Sequence, residues 1–177
     1  MMPVTTEIRR GTDRYLTRGE GHFTRHSFSF GGHYDPDNVR FGPLVCHDDH
    51  RLASGRGFDE HPHRGLEIVT WVVSGSLHHT DSGGHTAVVR PGQVQVLAAG
   101  TGVTHSETAG PEGPVRFVQA WLTPDRPDAD PSYAVTPVDL PPGELTVVAS
   151  GHRPAPVTLG VAAATFWVAR LDRGDTV

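Results

Sequence analysis

Short apolar runs separated by turn residues recur along the first two thirds of the chain. The run 66–73 (LEIVTWVV) has the composition of a buried strand, and the shorter runs 77–80, 86–90, 93–98 and 115–122 follow it. Glycine, proline, aspartate and serine lie between these runs and are typical of tight turns. Strands spaced about 8–12 residues apart predict an all-β barrel or sandwich. We expect it to extend from about residue 4 to residue 123.

The sequence before residue 66 is less regular. Residues 4–10 and 41–47 have the composition of strands, whereas the polar stretch 15–21 is typical of a loop. The charged run 47–50 (HDDH) contains four side chains of the kind that bind metals, but consecutive residues on a strand point in alternate directions. We therefore interpret this run as a turn with solvated charges.

The character of the sequence changes after residue 123. Residues 124–144 are polar and rich in proline, which is typical of an extended linker. Residues 145–149 and 162–171 again have strand composition, but the sequence after residue 144 contains few other strands with which they could pair. We expect residues 1–123 to form one domain and 124–144 a linker. Residues 145–177 are expected to be the opening strands of a second domain, or strands that pack back on the first.

Composition argues against several classes of protein. The formal net charge is −5 and no basic run is present, so a basic nucleic-acid-binding surface has no support. All 15 basic side chains are arginine, which excludes a Schiff-base lysine and a P-loop. No run of about 18 apolar residues and no export signal occur, so we expect a cytoplasmic protein without a membrane segment. The single cysteine, Cys46, lies in an apolar run and is expected to be a buried structural thiol.

Two pairs of metal-binding side chains have the spacing of one strand face. His61 and His63 are two residues apart, as are His105 and Glu107, and residues i and i+2 of a strand point the same way. Two such strands side by side would offer three imidazoles and a carboxylate to one ion. This ligand set suits Fe, Mn, Co, Ni, Cu or Zn. Pro62 cannot donate to a sheet ladder, so its strand is expected at an edge or rim, where a site can open.

Longer motifs surround these pairs. In order along the chain they are 26–30 (HSFSF), 57–67 (GFDEHPHRGLE), 91–95 (PGQVQ) and 99–107 (AGTGVTHSE). On these motifs the chain resembles the pirin family of the cupin superfamily, in particular the bacterial quercetinase-type pirins. The resemblance spans nearly the whole chain, and the combination of HPHRG with AGTGxxHSE is highly specific.

The resemblance implies a jelly-roll barrel that holds one metal ion, normally iron, on His61, His63, His105 and Glu107. In many other cupins a glutamate after the histidine pair is a ligand, and strand alternation would place Glu67 on the same face as that pair. We favour Glu107 as the ligand and expect Glu67 to orient an imidazole from behind. Family members typically have two cupin domains, so the resemblance implies that residues 145–177 are only the opening strands of the second.

The resemblance also implies an activity. The expected function is a dioxygenase that uses O2 to open the heterocyclic ring of a flavonol such as quercetin, with release of carbon monoxide and with Fe²⁺ as the expected cofactor. Glu107 would be both a metal ligand and the general base for a substrate hydroxyl. The candidates for an aromatic pocket wall are Phe28, Phe30, Phe58 and Trp71. The strict alternation in 26–30 predicts a strand with both of its phenylalanines on one face. The alternative is a non-catalytic, redox-sensing iron protein that binds a protein partner.

Overall fold

The computed structural model describes residues 8–176, and these residues form fourteen β-strands without a helix. The predicted all-β class is thus confirmed for the described part of the chain. The strands are β1 (Tyr15–Gly19), β2 (His22–His26), β3 (Leu44–Leu52), β4 (Gly57–His63), β5 (Glu67–Ser74), β6 (Leu77–Asp81), β7 (Thr86–Val89), β8 (Gln93–Ala98), β9 (Val103–Ala109), β10 (Val115–Leu122), β11 (Ser132–Pro137), β12 (Leu145–Ser150), β13 (Val157–Thr158) and β14 (Thr165–Ala169). Most of the strand predicted at 4–10 lies outside the described residues. Between residues 8 and 176, no helix is long and apolar enough to span a membrane.

Two antiparallel sheets build the barrel. The larger sheet has the strand order β1-β2-β3-β10-β5-β8-β11, and the smaller has the order β4-β9-β6-β7. Consecutive strands often belong to different sheets, so the chain crosses between the sheets as it does in a jelly roll. A third sheet, β13-β12-β14, packs on the outer face of the larger sheet.

The barrel interior is divided into layers. One apolar layer consists of Leu52, Val72, Leu77, Val89, Ala109, Val115 and Phe117. The other consists of Ile68, Leu97, Ala99 and Val103. Between them lies a polar layer that includes Thr70, Gln95, Glu107 and Gln119. Strand β5 shows this order directly, because Ile68, Thr70 and Val72 point inward at alternate positions. The polar layer is shielded from water, so its groups must find partners inside the barrel.

A second apolar core lies between the seven-stranded and three-stranded sheets. Val69 and Trp71 of β5 pack there against residues such as Val148 and Leu159. Neighbouring residues on a strand point to opposite faces, so Trp71 faces away from the barrel interior to which Thr70 belongs. Trp71 is therefore a core residue, contrary to its predicted place in the pocket wall.

Three segments differ from their predicted structure. The sequence predicts a loop at 15–21, but β1 pairs there with β2. Residues 47–50 are not a solvated turn. They lie within β3, where strand alternation buries Asp48 and His50 on the inner face. Strand β2 ends where the alternating segment 26–30 begins, so that segment is not the predicted strand.

The predicted linker contains a strand of the large sheet. β11 pairs with β8 along its whole length, and the N–H of Thr101 donates to the carbonyl oxygen of Ala129 at 2.9 Å. Pro131 and Pro137 lie at the two ends of this edge strand, where a missing N–H disturbs the ladder least. Segment 124–144 is thus partly integrated into the sheet, and the predicted second domain stays a prediction.

Candidate metal centre

Strands β4 and β9 place three histidines side by side. His61 lies directly opposite His105 in the antiparallel register, and His63 follows on the same strand. The ring centroids are 4.6 Å apart for His61 and His105, 4.8 Å for His61 and His63, and 4.9 Å for His63 and His105. One ring nitrogen of each histidine lies within 4.8 Å of those of the other two. The histidines of the two sequence pairs therefore meet at one place.

Two properties of β4 bring it this close to β9. The register shifts between Phe58 and His61, which lets the strand bend. Gly57 lies so close to β9 that a Cβ atom there would be 2.1 Å from the carbonyl oxygen of Glu107. A side chain at position 57 would push the strands apart, so this glycine fixes the distance between the strands that carry the histidines.

The imidazole nitrogens are arranged as metal binding requires. Nδ1 of His61 donates to the carbonyl oxygen of Asp59 at 2.7 Å, which leaves a lone pair on Nε2. The buried Nε2 of His63 and both ring nitrogens of His105 have no hydrogen-bond partner among the described residues. Buried nitrogens without partners are costly unless a ligand uses them. The three side chains therefore fit a bound transition-metal ion.

The surroundings of His63 and His105 keep these two imidazoles neutral. Burial is the main cause that lowers the pKa of His63 to about 4, with additional effects of His105 and His61. Burial, with smaller effects of His61 and His79, lowers the pKa of His105 to about 3. Neutral imidazole is the form that binds a metal ion, so metal binding at neutral pH displaces no proton from these two residues.

We predict that acid destabilises the metal-free protein over a defined pH range. An unfolded histidine takes up a proton below about pH 6.5. In the folded chain, burial lowers the pKa values of His50 and His63 to about 4 and that of His105 to about 3. Between the folded and the unfolded pKa the unfolded state binds more protons than the folded state. As the pH falls through this range, each histidine therefore lowers the free energy of unfolding by up to about 1.4 kcal/mol per pH unit. Urea unfolding at about pH 7 and pH 5, with a chelator to keep the protein metal-free, measures the fall in the free energy of unfolding. Equal free energies at the two pH values would contradict the prediction.

Glu107 is fixed by two amide donors in the polar layer. Its Oε1 accepts a hydrogen bond from Nε2 of Gln95, and its Oε2 accepts one from Nε2 of Gln119, both at 2.8 Å. Both amides also donate to Oγ1 of Thr70, at 3.3 and 3.1 Å respectively. Hydrogen bonds to an ionised group are stronger than neutral ones, so these donors stabilise the carboxylate and hold it in one position.

His79 is a buried histidine that the sequence analysis did not single out. It lies opposite Glu107 in the pairing of β6 with β9, and these two residues form an inner group with His105, within 4.8 Å of one another. Nε2 of His79 bonds Oδ2 of Asp81 at 3.1 Å, and its ring stacks on Tyr133 with 4.3 Å between centroids. The i, i+2 spacing of His79 and Asp81 was a usable signal. Glu107 belongs to this inner group, and its role as the fourth metal ligand stays a prediction.

We predict that Tyr133→Phe destabilises the protein. The Tyr133 hydroxyl donates to Oε1 of Gln95 at 2.8 Å, and Gln95 is fully buried. Loss of this donor leaves a buried oxygen unsatisfied, which costs about 1–3 kcal/mol. Thermal unfolding measures the loss against Tyr34→Phe, a control in which the changed side chain is 75% exposed. Equal melting temperatures for the two variants would show that the hydrogen bond from Tyr133 to Gln95 does not stabilise the protein.

Glu67 does not lie behind the histidines. Its Oε1 accepts a hydrogen bond from the N–H of Gly160 at 2.7 Å, on the side of β5 that faces the third sheet. Burial raises the pKa of the Glu67 carboxyl. The expectation that Glu67 orients an imidazole is wrong, because alternation of faces does not continue from β4 to β5. Gly65, with φ of +61°, separates the two strands, and they belong to different sheets.

A cavity of about 360 Å³ opens beside His61 and Glu107. Its aromatic wall consists of Phe30, Phe58 and Trp121. The volume lies in the range of small-molecule sites, and an aromatic wall with a few polar groups is typical of them. Asp48 and His26 also line the cavity.

The aromatic residues proposed from the sequence are divided by the structure. Phe30 and Phe58 line the cavity, and Phe28 lies outside its lining. Trp121 was not proposed, yet its ring centroid is 4.9 Å from that of His63, and its Nε1–H donates to Oε1 of Gln119 at 2.7 Å. Trp121 takes the place in the wall that the sequence analysis assigned to Trp71.

Comparison with known proteins gives consistent results. A family model described as Pirin matches residues 9–122. A relative from Mycobacterium bovis, named "Putative quercetin 2,3-dioxygenase", is 45% identical over 181 residues, which cover 99% of this chain and 74% of the relative. The "Quercetin 2,3-dioxygenase" of Escherichia coli K12 is 35% identical over 130 residues, which cover 72% of this chain and 56% of that protein.

A solved structure shows the same similarity. The bacterial pirin YhhW from Escherichia coli, in complex with nickel(II), superposes with a TM-score of 0.80 at 29% sequence identity. The superposition covers 86% of this chain and 66% of that chain.

Proposed function

This chain belongs to the pirin family, and from that premise we propose that it is a metal-dependent dioxygenase that uses O2 to open the heterocyclic ring of a flavonol such as quercetin, with release of carbon monoxide. The observation that supports this most directly is the cavity, which is lined by His61, Glu107 and aromatic rings. A planar phenolic ligand suits such a wall, since aromatic side chains favour stacked or edge contacts. Two relatives are named for the same reaction.

His61, His63 and His105 would hold the metal ion, with Glu107 as the fourth ligand. Imidazole and carboxylate suit several divalent ions, and Fe²⁺ is the one we propose, with Ni, Mn, Co, Cu and Zn as the others this set accepts. The E. coli pirin structure contains nickel(II). When bound, such an ion supplies a Lewis acid and coordination positions for substrate and O2.

The residues of the chain have separate tasks in this proposal. Glu107 accepts the proton of the flavonol hydroxyl on a carboxylate oxygen, as the general base. Gln95 and Gln119 keep that carboxylate in place through their 2.8 Å hydrogen bonds. Phe58 and Trp121 hold the ring system and keep water from the site.

The test is flavonol consumption by purified, metal-reconstituted protein in air. Loss of quercetin absorbance and release of carbon monoxide should match at one to one. The metal-free protein and the metal salt alone are the controls, because flavonols oxidise slowly without protein. Consumption no faster than in these controls, with each of Fe²⁺ and Ni²⁺, would overturn the proposal.

The alternative from the sequence was a redox-sensing iron protein with a protein partner. A sensor of this kind needs no ligand cavity at its metal site. The cavity beside His61 and Glu107 therefore favours catalysis.

A further inference from the structure

One row of polar side chains crosses neighbouring strands of the large sheet. It runs from β8 through β5, β10, β3 and β2 to β1, and each residue lies directly opposite the next one on the neighbouring strand. The residues, in this order, are Gln95, Thr70, Gln119, Asp48, His26 and Tyr15. Tyr15 is 40% exposed at one end of the row, whereas the other five are at most 5% exposed. Burial of so many polar groups costs free energy unless each has a partner, so the row needs an explanation.

The two halves of the row have different surroundings. Gln95, Thr70 and Gln119 form the support of Glu107. Asp48 and His26 make no hydrogen bond to the candidate ligands and instead line the cavity. Nδ1 of His26 donates to Oδ2 of Asp48 at 2.7 Å, and the other ring nitrogen bonds Oγ1 of Thr17 at 2.9 Å. His26 therefore fixes the orientation of the Asp48 carboxylate.

We infer that Asp48, oriented by His26, is a second polar anchor of the cavity, which accepts a hydrogen bond from a hydroxyl group of a phenolic ligand. The inference rests on the proposed function for the class of this ligand. The Cys46 thiol also neighbours Asp48, and burial together with that carboxylate raises the pKa of the thiol. A thiol is a weak donor, whereas a carboxylate offers about four acceptor sites. Asp48 thus retains the capacity to bind a hydroxyl group.

The separation of the two carboxylates suits a ligand of several linked rings. Gln95 and Gln119 hold Glu107 from either side of Thr70, which places the Glu107 carboxylate over β5. Asp48 lies on β3, two strands away in the same sheet. Strands are about 4.8 Å apart, so the lateral distance is about 10 Å. A flavonol with one hydroxyl near Glu107 can extend an outer ring toward Asp48.

The aromatic wall connects the two ends. Phe30 stacks on His26 with 5.1 Å between ring centroids, and it makes an edge-to-face contact with Trp121 with 5.6 Å between centroids. Trp121 in turn contacts His63 at 4.9 Å. A continuous series of rings therefore extends from the histidine cluster to Asp48, along which a planar ligand can lie.

The test measures binding without turnover. Quercetin, which carries hydroxyls on its outer rings, is compared with 3-hydroxyflavone, which has only the central hydroxyl. Both are titrated under argon into nickel-loaded protein, with quenching of tryptophan fluorescence as the signal. Asp48→Asn should weaken quercetin binding about 10- to 100-fold, the usual effect of one hydrogen bond to a charged group. Binding of 3-hydroxyflavone should stay within a factor of about two.

Asp49→Asn is the matched control. Asp49 is the next residue on β3, points to the opposite face, and binds Arg116 at 2.7 Å. It should leave the binding of both flavonols unchanged. The wild type gives a second measurement that depends on no variant, because it should bind quercetin at least about tenfold more tightly than 3-hydroxyflavone.

The outcomes separate the two proposals. Equal losses for both flavonols in Asp48→Asn, no loss for either, or no preference in the wild type would overturn the anchor. Absence of binding of either flavonol to wild-type protein would overturn it as well. Tight, Asp48-dependent binding without consumption in air would support the anchor and overturn only the proposed dioxygenase activity.

Discussion

His105→Ala should leave the purified protein without bound metal and without flavonol oxidation. His105 is the residue shared by the three-histidine group and the inner group with His79 and Glu107. Its side chain is buried, and neither of its ring nitrogens has a partner among the described residues. Loss of an outer-shell partner typically costs about 10- to 100-fold in metal affinity, and loss of a central ligand should cost more. The metal content of the variant is measured after dialysis against a weak chelator.

His78→Ala is the control for this variant. His78 is half-buried on the strand that carries His79, but alternation places its side chain on the opposite face. It should bind metal as the wild type does. Full metal occupancy in His105→Ala would show that the three histidines are not the binding site, whatever the activity of the variant.

Glu107→Gln should reduce flavonol turnover by about 10²- to 10⁴-fold, the usual contribution of a general base. The amide keeps the shape of the side chain and one oxygen, but it cannot take a proton. Metal affinity should also fall, because a neutral amide is a weaker ligand than a carboxylate. In addition, its NH2 group would face the amide donor of either Gln95 or Gln119, so one of these two hydrogen bonds would be lost. Turnover by the iron-loaded variant, measured at saturating metal, separates loss of the base from loss of metal.

Glu67→Gln is the matched carboxylate control. Its side chain bonds Gly160 on the opposite face of the sheet, so metal content and turnover should equal those of the wild type. If Glu67→Gln lost the metal and Glu107→Gln retained it, the choice of Glu107 as the ligand would be wrong. Normal turnover by iron-loaded Glu107→Gln would instead contradict only its role as a base.

The sequence predicted the parts of the site that depend on a single strand. His61 and His63 share a face because alternation within β4 is local, and the same holds for His105 and Glu107 on β9. The prediction for Glu67 used the same rule across Gly65, where the chain leaves one sheet for the other. Alternation carries no information across such a break, and Glu67 therefore points to the third sheet.

The supporting residues depend on the order of strands, which alternation does not reveal. Gln95 and Gln119 belong to β8 and β10, which are separated by β5 in the sheet, and both reach Glu107 on the facing sheet. In the sequence each looks like a polar interruption of an apolar run. For the same reason 47–50 resembled a turn, although two of its four side chains point into the barrel.

Strand β11 also bears on how the protein avoids aggregation. It covers the outer edge of β8, and it is itself bordered by Pro131 and Pro137. A chain shortened to residues 1–123 would expose the backbone donors and acceptors of β8 beside Val94 and Val96. An open apolar edge of this kind pairs readily with other chains. The proline-rich segment that resembles a spacer in the sequence therefore covers a backbone edge of β8 that would otherwise be open to pairing with another chain.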